Sequence, residues 1–318
     1  MFTIIASAFD LLIGDPKFLH PVSFIGKAAE IFENLSRKIF SNPFFSGLTT
    51  VAAVLLATGS ISFFLLYSIY IFNETAGLLL SSLLFSFSFA VRSLVEHTSE
   101  VKIKLLSGDT GAARHAASKI VGRDTENISE EEIIRAAVET AAESLTDGII
   151  APIFYGTAGC IAGGPLLGAV FAILYRAVNT MDSMFGHKNK KYHRFGWTAA
   201  RLDDLANFIP ARISFPLILL SAWFRKERVK NCITVFMRDR NNHPSPNAGQ
   251  TESAFAGALG VKLGGLNYYA GVKEFRSNIG DEFEAFNPGH IDRSNAIIIL
   301  TAIQAVILSA LILFFSGK

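Results

Sequence analysis

Three stretches of the chain consist almost wholly of apolar residues. Residues 48–71 run for 24 positions without a charge, residues 75–91 for 17 and residues 296–315 for 20. A helix that crosses a membrane needs about 20 apolar residues, with a range near 17–25, so each stretch predicts a span. Asn73 and Glu74 form a polar tip between the first two, which predicts a helical hairpin. Two further stretches read either way. Residues 148–178 carry no charge before Arg176, but Gly163-Gly164-Pro165 divides them, and residues 208–224 hold Pro210, Arg212 and Pro216. Residues 1–14 are apolar apart from Asp10 and lack the basic flank of a cleavable signal. They read as an anchor that stays in the chain.

Composition agrees with this pattern. Only 18% of residues are charged and mean hydropathy is +0.37, against about 25% charged in a soluble domain. Disorder is excluded by the apolar content. A net charge of +2 offers no general polyanion surface, so nucleic acid is excluded as a partner. Cys160 and Cys232 make neither a disulfide framework nor a metal-ligand spacing. The expected architecture is all-α, a polytopic integral membrane protein with residues 1–318 as a single membrane domain. Its helical cytoplasmic loops would carry the active site.

Basic residues set the expected orientation. Regions 15–47, 92–147, 179–207 and 225–295 hold four, seven, five and ten Lys or Arg, 26 of the 29 in the chain. Excess Lys and Arg marks the cytoplasmic side. With 179–207 also cytoplasmic, 148–178 must enter and leave on one side, and Gly163-Gly164-Pro165 is the place for that reversal. The competing arrangement crosses once at 148–178, returns at 208–224 and puts 179–207 outside.

The polar regions hold the unusual local sequences. Gly14-Asp15-Pro16 reads as a turn, where Asp15 could hold a cation or an amine. Ser129 with Glu132 makes a capping box, so a helix starts near Glu130. At 100° per residue, Glu132, Arg135, Glu139, Glu143 and Thr146 share one face. That face is either a solvated set of ion pairs or a carboxylate site. Asp147 adds another carboxylate at the start of an apolar segment, which suits Mg²⁺, an ion that takes one or two carboxylates plus phosphate oxygens and water. In 175–207, Asn179 and Asp182 share a face, as do Arg201 and Asp204, whereas Asp203 and Asp204 diverge by about 100°. His187 and His193 are not spaced as helical zinc ligands. Ser245-Pro-Asn247-Ala-Gly249 reads as a tight turn with free backbone N–H groups, near Arg238 and Arg240, able to cradle a phosphate. Together these features point to metal-assisted chemistry on an anionic substrate.

Four stretches carry a specific resemblance. They are GDP with HPV at 14–22, VGRDTENISEEEIIRAAVETAAESLTDGIIAPIFY at 121–155, YRAVNTMDSMFGHKNKKYHRFGWTAARLDDLANFIPAR at 175–212 and SPNAGQTESAFAGALGVKLGG at 245–265. In this order they resemble the adenosylcobinamide-phosphate synthase family of cobalamin (vitamin B12) biosynthesis, which are integral enzymes of the cell (inner) membrane. The chain departs from the family where AENLSDG is usual and Ala142-Glu-Ser-Leu-Thr-Asp-Gly148 stands, and where Gln250 replaces an aromatic.

The resemblance implies an ATP-dependent amide ligation. A propionate of adenosylcobyric acid would be joined to (R)-1-amino-2-propanol or its O-phosphate, with Mg²⁺ as cofactor and ATP as co-substrate. It also implies association with other enzymes of the late corrin pathway. On that reading, Glu139, Glu143 and Asp147 lie near Mg²⁺ or the amine, with Asp203 or Asp204 as base or metal ligand. Arg123, Lys188 and Arg201 meet phosphate groups, Asn247 and Gly249 belong to the phosphate-cradling turn, and Asp15, Asp124, Asn179 and Asp182 complete the substrate contacts. Two rivals are a membrane Mg²⁺-dependent prenyl or phosphoalcohol transferase and a corrinoid transporter or partner. The first would prefer widely separated Asp-rich motifs. The second would prefer ionisable residues inside the spans, and the three clear spans have none.

Overall fold

Asn73 does the work of the polar tip expected between the first two apolar runs. Its N–H caps the end of α3 (Pro43–Phe72) through Ile69, and its side chain accepts the N–H of Ala76 at 2.9 Å to open α4 (Glu74–Ser86). The structure is a computed structural model that describes residues 2–14, 20–187, 189–269 and 271–317. Four stretches in it are long and apolar enough to cross a membrane: Pro43–Phe72, Glu74–Leu106, Glu130–Phe185 and Gly289–Phe315. α9 (Trp197–Ala206) and α10 (Phe208–Phe224) make a fifth if the pair, bent by 42°, counts as one. The all-α membrane architecture is therefore present. The expected span at 75–91 falls within the second of these stretches, Glu74–Leu106. Inside it α4 ends at Ser86 and α5 (Val91–Leu106) starts afresh, because the N–H groups of Ser88 and Phe89 turn back onto Phe85 and Ser86.

The described chain forms two compact units. The first is built from 1–90, 147–207 and the end of the chain from 306. It holds α1 (Phe2–Ile13), α2 (Pro21–Ile39), α3, α4, α8 (Ala151–Phe185) and α9. Its core joins Ile25 and Ala29 of α2, Val51 and Val54 of α3, and Ile173, Ala177, Met181 and Phe185 of α8. Ser36 binds both Ser46 and Thr50 at 2.8 Å, so buried hydroxyls satisfy one another where α2 meets α3.

The reversal expected at Gly163-Gly164-Pro165 is built into α8. Gly163 and Gly164 leave helical geometry, the second at φ +82°, a conformation that favours glycine. The arms 151–162 and 165–185 then pack so closely that a Cβ on Gly159 would lie 2.3 Å from the Leu167 carbonyl oxygen. One on Gly168 would lie 2.9 Å from that of Gly156. Tyr155 stacks on Tyr175 across the two arms, with ring centres 5.2 Å apart. The stretch 148–178 thus folds back on itself.

The second unit takes 91–146 and 208–305. It contains α5, α6 (Thr110–Ser118), α7 (Glu130–Leu145), α10, α11 (Val229–Asp239), α12 (Ala248–Leu259), β1 (Leu263–Tyr269), β2 (Val272–Ile279) and α13 (Gly289–Phe315) as far as residue 305. α7 opens on the expected capping box: Ser129 Oγ accepts from Glu132 N–H, and Glu132 returns the contact to Ser129 N–H at 2.8 Å. All twelve residues of α12 are buried, and it packs on α7, α10, α11 and β2. The antiparallel hairpin β1–β2 was not expected. Its register shifts between Leu263 and Gly265, a β-bulge that Gly264 and Gly265 accommodate at φ +84° and +83°.

Candidate functional site

The bulge aims a backbone donor at α7. The N–H of Gly264 reaches Glu139 Oε1 at 2.7 Å. Arg123 Nη1 donates to Glu139 Oε2 at 2.7 Å and also to Asn267 Oδ1. Arg135 donates to the Leu266 carbonyl at 3.0 Å and lies 3.7 Å from Glu139. This side of α7 is therefore not a solvated row of ion pairs. Arg135 and Glu139 are covered by β1, and only 7% of the Arg123 side chain and 12% of that of Glu139 stay exposed. With both oxygens engaged by N–H donors, Glu139 reads as a clamp that holds two guanidinium groups rather than as a metal ligand. Arg123 has polar capacity left over, since its Nη2 is buried and finds no hydrogen-bond partner.

Glu143, one turn further along α7, differs. It is exposed, and among the described residues it makes no hydrogen bond or ion pair. Arg276 of β2 and Glu139 supply the charges it feels. Asp124 is a structural anchor: it accepts Gly271 N–H at 2.7 Å, and its own N–H goes to the Tyr268 carbonyl.

The turn before α12 meets its own donors. Ser245 Oγ accepts the N–H groups of Asn247 and Ala248, and Ser245 N–H goes to His243 Nδ1 at 3.0 Å. These N–H groups, expected to be free for a phosphate, are used internally because a serine starts the turn. Asn247 faces Arg212 at 3.3 Å. Gly249 is needed for space, as its Cβ would fall 2.3 Å from the Arg240 carbonyl oxygen. Arg238 is tied to Asp239 and Asp281.

His243 and Glu252 were not among the expected site residues. Glu252 Oε1 lies 3.5 Å from His243 Nε2, both side chains being buried. The spacing suggests an ion pair, but burial argues otherwise. It pushes the Glu252 carboxyl well above its ordinary range, helped by the charges of Glu139 and Glu143. Burial and then the Arg276 charge push the His243 imidazole down to about 4. Burial thus favours the uncharged form of both groups. Because Nδ1 accepts from Ser245, the ring proton sits on Nε2, facing Glu252.

The first unit holds a separate polar network. Tyr175 Oη lies 2.8 Å from Asn207 Oδ1 and 3.2 Å from the Asp147 carbonyl. Asn207 Nδ2 donates to Asp203 Oδ2 at 3.0 Å, and Asn179 Nδ2 to Asp203 Oδ1 at 3.4 Å. Arg176 reaches Asn179 at 3.3 Å. Asp203 also feels the charges of Asp182 and Asp204, so the structure brings Asn179, Asp182, Asp203 and Asp204 into one neighbourhood. Asp147 falls in a one-turn π-helix (Thr146–Ile150), a distortion frequent at functional sites. Arg201 pairs with Asp204 at 3.5 Å, but its side chain is 65% exposed. Asp15 and Lys188 lie outside the described residues.

Among the described residues, no three His, Cys, Asp or Glu side chains gather as a metal-binding group. Mg²⁺ does not demand such a cage, since it keeps waters and takes phosphate oxygens alongside one or two carboxylates. The exposed, unengaged carboxylate of Glu143 fits that requirement, and Glu139 does not.

Residues 3–298 match the model of the family described as CobD/Cbib protein. The cobalamin biosynthesis protein CobD of Leptospira interrogans is 43% identical over 309 residues, which cover 97% of this chain and 95% of the relative. That of Clostridium perfringens is 40% identical over 312 residues, covering 97% and 96%. That of Listeria monocytogenes is 34% identical over 308 residues, covering 95% and 94%. No solved structure matches.

Proposed function

Since this chain belongs to the CobD/Cbib family and so to cobalamin biosynthesis, we propose that it catalyses the ATP-dependent joining of an adenosylcobyric acid propionate to (R)-1-amino-2-propanol or its O-phosphate. The observation that carries this reading is the gathering of guanidinium and carboxyl groups in the second unit. Arg123, Arg135, Glu139, Glu252 and Arg276 come from segments far apart in sequence and act on one another. Such a cluster suits oxyanions, as the substrates of an amide ligation require.

A carboxylate does not acylate an amine at neutral pH, because its oxygen leaves poorly. Attack of the carboxylate oxygen on the γ-phosphorus of ATP would form a C–O–P linkage, break the bond to the β-phosphate bridge and release ADP. Attack of the amine nitrogen on that acyl phosphate would form the C–N bond and expel phosphate, and the nitrogen would lose its proton to a base. Mg²⁺, held by Glu143, supplies charge neutralisation on phosphate oxygens when bound. Arg123 and Arg276 would contribute fixed positive charge to the transferring phosphoryl group. In the first unit, considered by itself, the carboxylates of Asp182, Asp203 and Asp204 suit an ammonium group. Asn179 and Asn207 fix the Asp203 oxygens. The basic loops 92–147, 179–207 and 225–295 would face the cytoplasm, where ATP is available.

The test is product formation by the purified full chain in detergent, given adenosylcobyric acid, ATP, Mg²⁺ and aminopropanol phosphate. We expect cobinamide phosphate by mass and one ADP per amide. Hydroxylamine in place of the amine should trap a corrinoid hydroxamate. ADP release without corrinoid product, or product without ATP, would overturn the reading.

A further inference from the structure

Beside the Arg123 cluster, within the second unit, lies a cavity of about 1070 Å³. Its walls come from α6, the loop 122–128, the start of α7 and the tip side of the hairpin. They are braced from within. Arg114 Nε donates to the Ile128 carbonyl at 2.9 Å, Thr125 Oγ1 donates to the Arg114 carbonyl at 3.1 Å, and Asp124 ties the loop to the hairpin at both its N–H and its carboxylate. A site with walls fixed before a ligand arrives loses little order on binding.

Resting on the ligase reading, we infer that this cavity is the binding site of the corrinoid, with Arg123 receiving its carboxylate. Three observations converge. Size is the first: ligand pockets ordinarily run from roughly 300 to 1,000 Å³, so this cavity suits a ligand larger than a nucleotide. The second is the balance of charge. Arg114 and Arg123 in the lining face Asp124, Glu126 and Glu132. A polyphosphate would meet more carboxylates than guanidinium groups there. A corrinoid carries one carboxylate among neutral primary amides, and the lining matches amides with donors and acceptors on Ser118, Thr125 and Asn127. The third is Arg123 itself. It lines the cavity, only 7% of its side chain is exposed, and Nη2 has no partner. A buried N–H without an acceptor is costly, and a ligand carboxylate would satisfy it.

The same oxyanion chemistry could be met by a phosphate of ATP, so the experiment separates the two sources. The full chain in detergent is equilibrated with adenosylcobyric acid alone, followed by the corrinoid absorbance retained with the protein. A parallel series uses a non-hydrolysable ATP analogue with Mg²⁺. Ser118 and Glu126 are exposed at the cavity wall, so S118W and E126W fill the space while leaving Arg123 intact, and Arg123→Lys keeps the charge but loses the fork. We expect saturable corrinoid binding by the wild type, weakened at least tenfold in all three variants, with nucleotide affinity within twofold in S118W and E126W. Two independent filling variants guard against one that fails to fold, as judged by gel filtration. Corrinoid binding unchanged in the folded variants, or a loss confined to the nucleotide, would overturn the assignment while leaving wild-type ligation, and so the ligase reading, intact. A wild type that neither binds the corrinoid nor forms product would overturn both.

Discussion

The buried His243–Glu252 pair has a distinctive consequence for stability against pH. In the fold, burial raises the Glu252 carboxyl above its ordinary range and lowers the His243 imidazole to about 4, so Glu252 holds its proton to higher pH and His243 loses its proton at lower pH than in the unfolded chain. In the unfolded chain the ordinary values are 4.5 and 6.5. The two shifts contribute to the slope with opposite signs and offset each other. Each single variant removes the offset. In Glu252→Gln only His243 remains. The unfolded state then binds the extra proton, and stability rises with pH by about 1.4 kcal/mol per unit, or about 2.7 kcal/mol from pH 4.5 to 6.5. In His243→Asn only Glu252 remains. The folded state then binds the extra proton, and stability falls with rising pH. The assay is unfolding in detergent followed by tryptophan fluorescence at several pH values. Each variant is compared with the wild type so that all other titrating groups drop out. Difference curves that are flat for both variants, or that slope the same way, would refute the argument that burial keeps the pair uncharged.

Other expectations separate structural from chemical roles. Glu143→Gln should lower ligation by about 10²-fold or more with an unchanged melting temperature, as measured by initial rates and thermal unfolding. Glu139→Gln should instead lose about 3–5 kcal/mol of stability, because it strips the counter-charge from two covered guanidinium groups; detergent unfolding reads this directly. Gly159→Ala should destabilise the chain by about 1–3 kcal/mol through the clash with Leu167, whereas Gly122→Ala, with nothing within 4 Å of its Cβ, should melt like the wild type. Tyr175→Phe should cost about 1 kcal/mol, since Asn207 loses a buried donor.

What the sequence disclosed followed the range of the interactions concerned. The α7 capping box and the Asn73 tip depend on residues four or fewer positions apart, and both are where the pattern put them. The reversal of α8 was legible because two glycines and a proline interrupt an uncharged run. The hairpin was not, since Gly264 and Gly265 carry no alternating pattern and what stabilises the bulge is Glu139, 125 positions earlier. For the same reason Asn267 and Arg276 went unnoticed as site residues. Glu252 sat in a small-residue helix that gave no sign of being enclosed on every side, and His243 gained its meaning only from that enclosure. The Ser245 turn misled because its serine was read as a turn residue and not as the acceptor of its own N–H groups.

That enclosure of α12 sets an order of events during synthesis. A helix buried on all sides cannot be added last to a finished shell, and its neighbours include β2, which follows it in the chain. α7 leaves the ribosome 114 residues before α12 is complete. At about 5–20 residues per second this is a delay on the order of ten seconds. Through that interval the α7 surface that will cover α12 waits without its partner, together with the Arg135 and Glu139 side chains that only β1 will cover. The second unit therefore closes in one late step, after residue 279. Until then the nascent chain must be shielded, by the bilayer or by a holding factor, at a surface that is both apolar and charged.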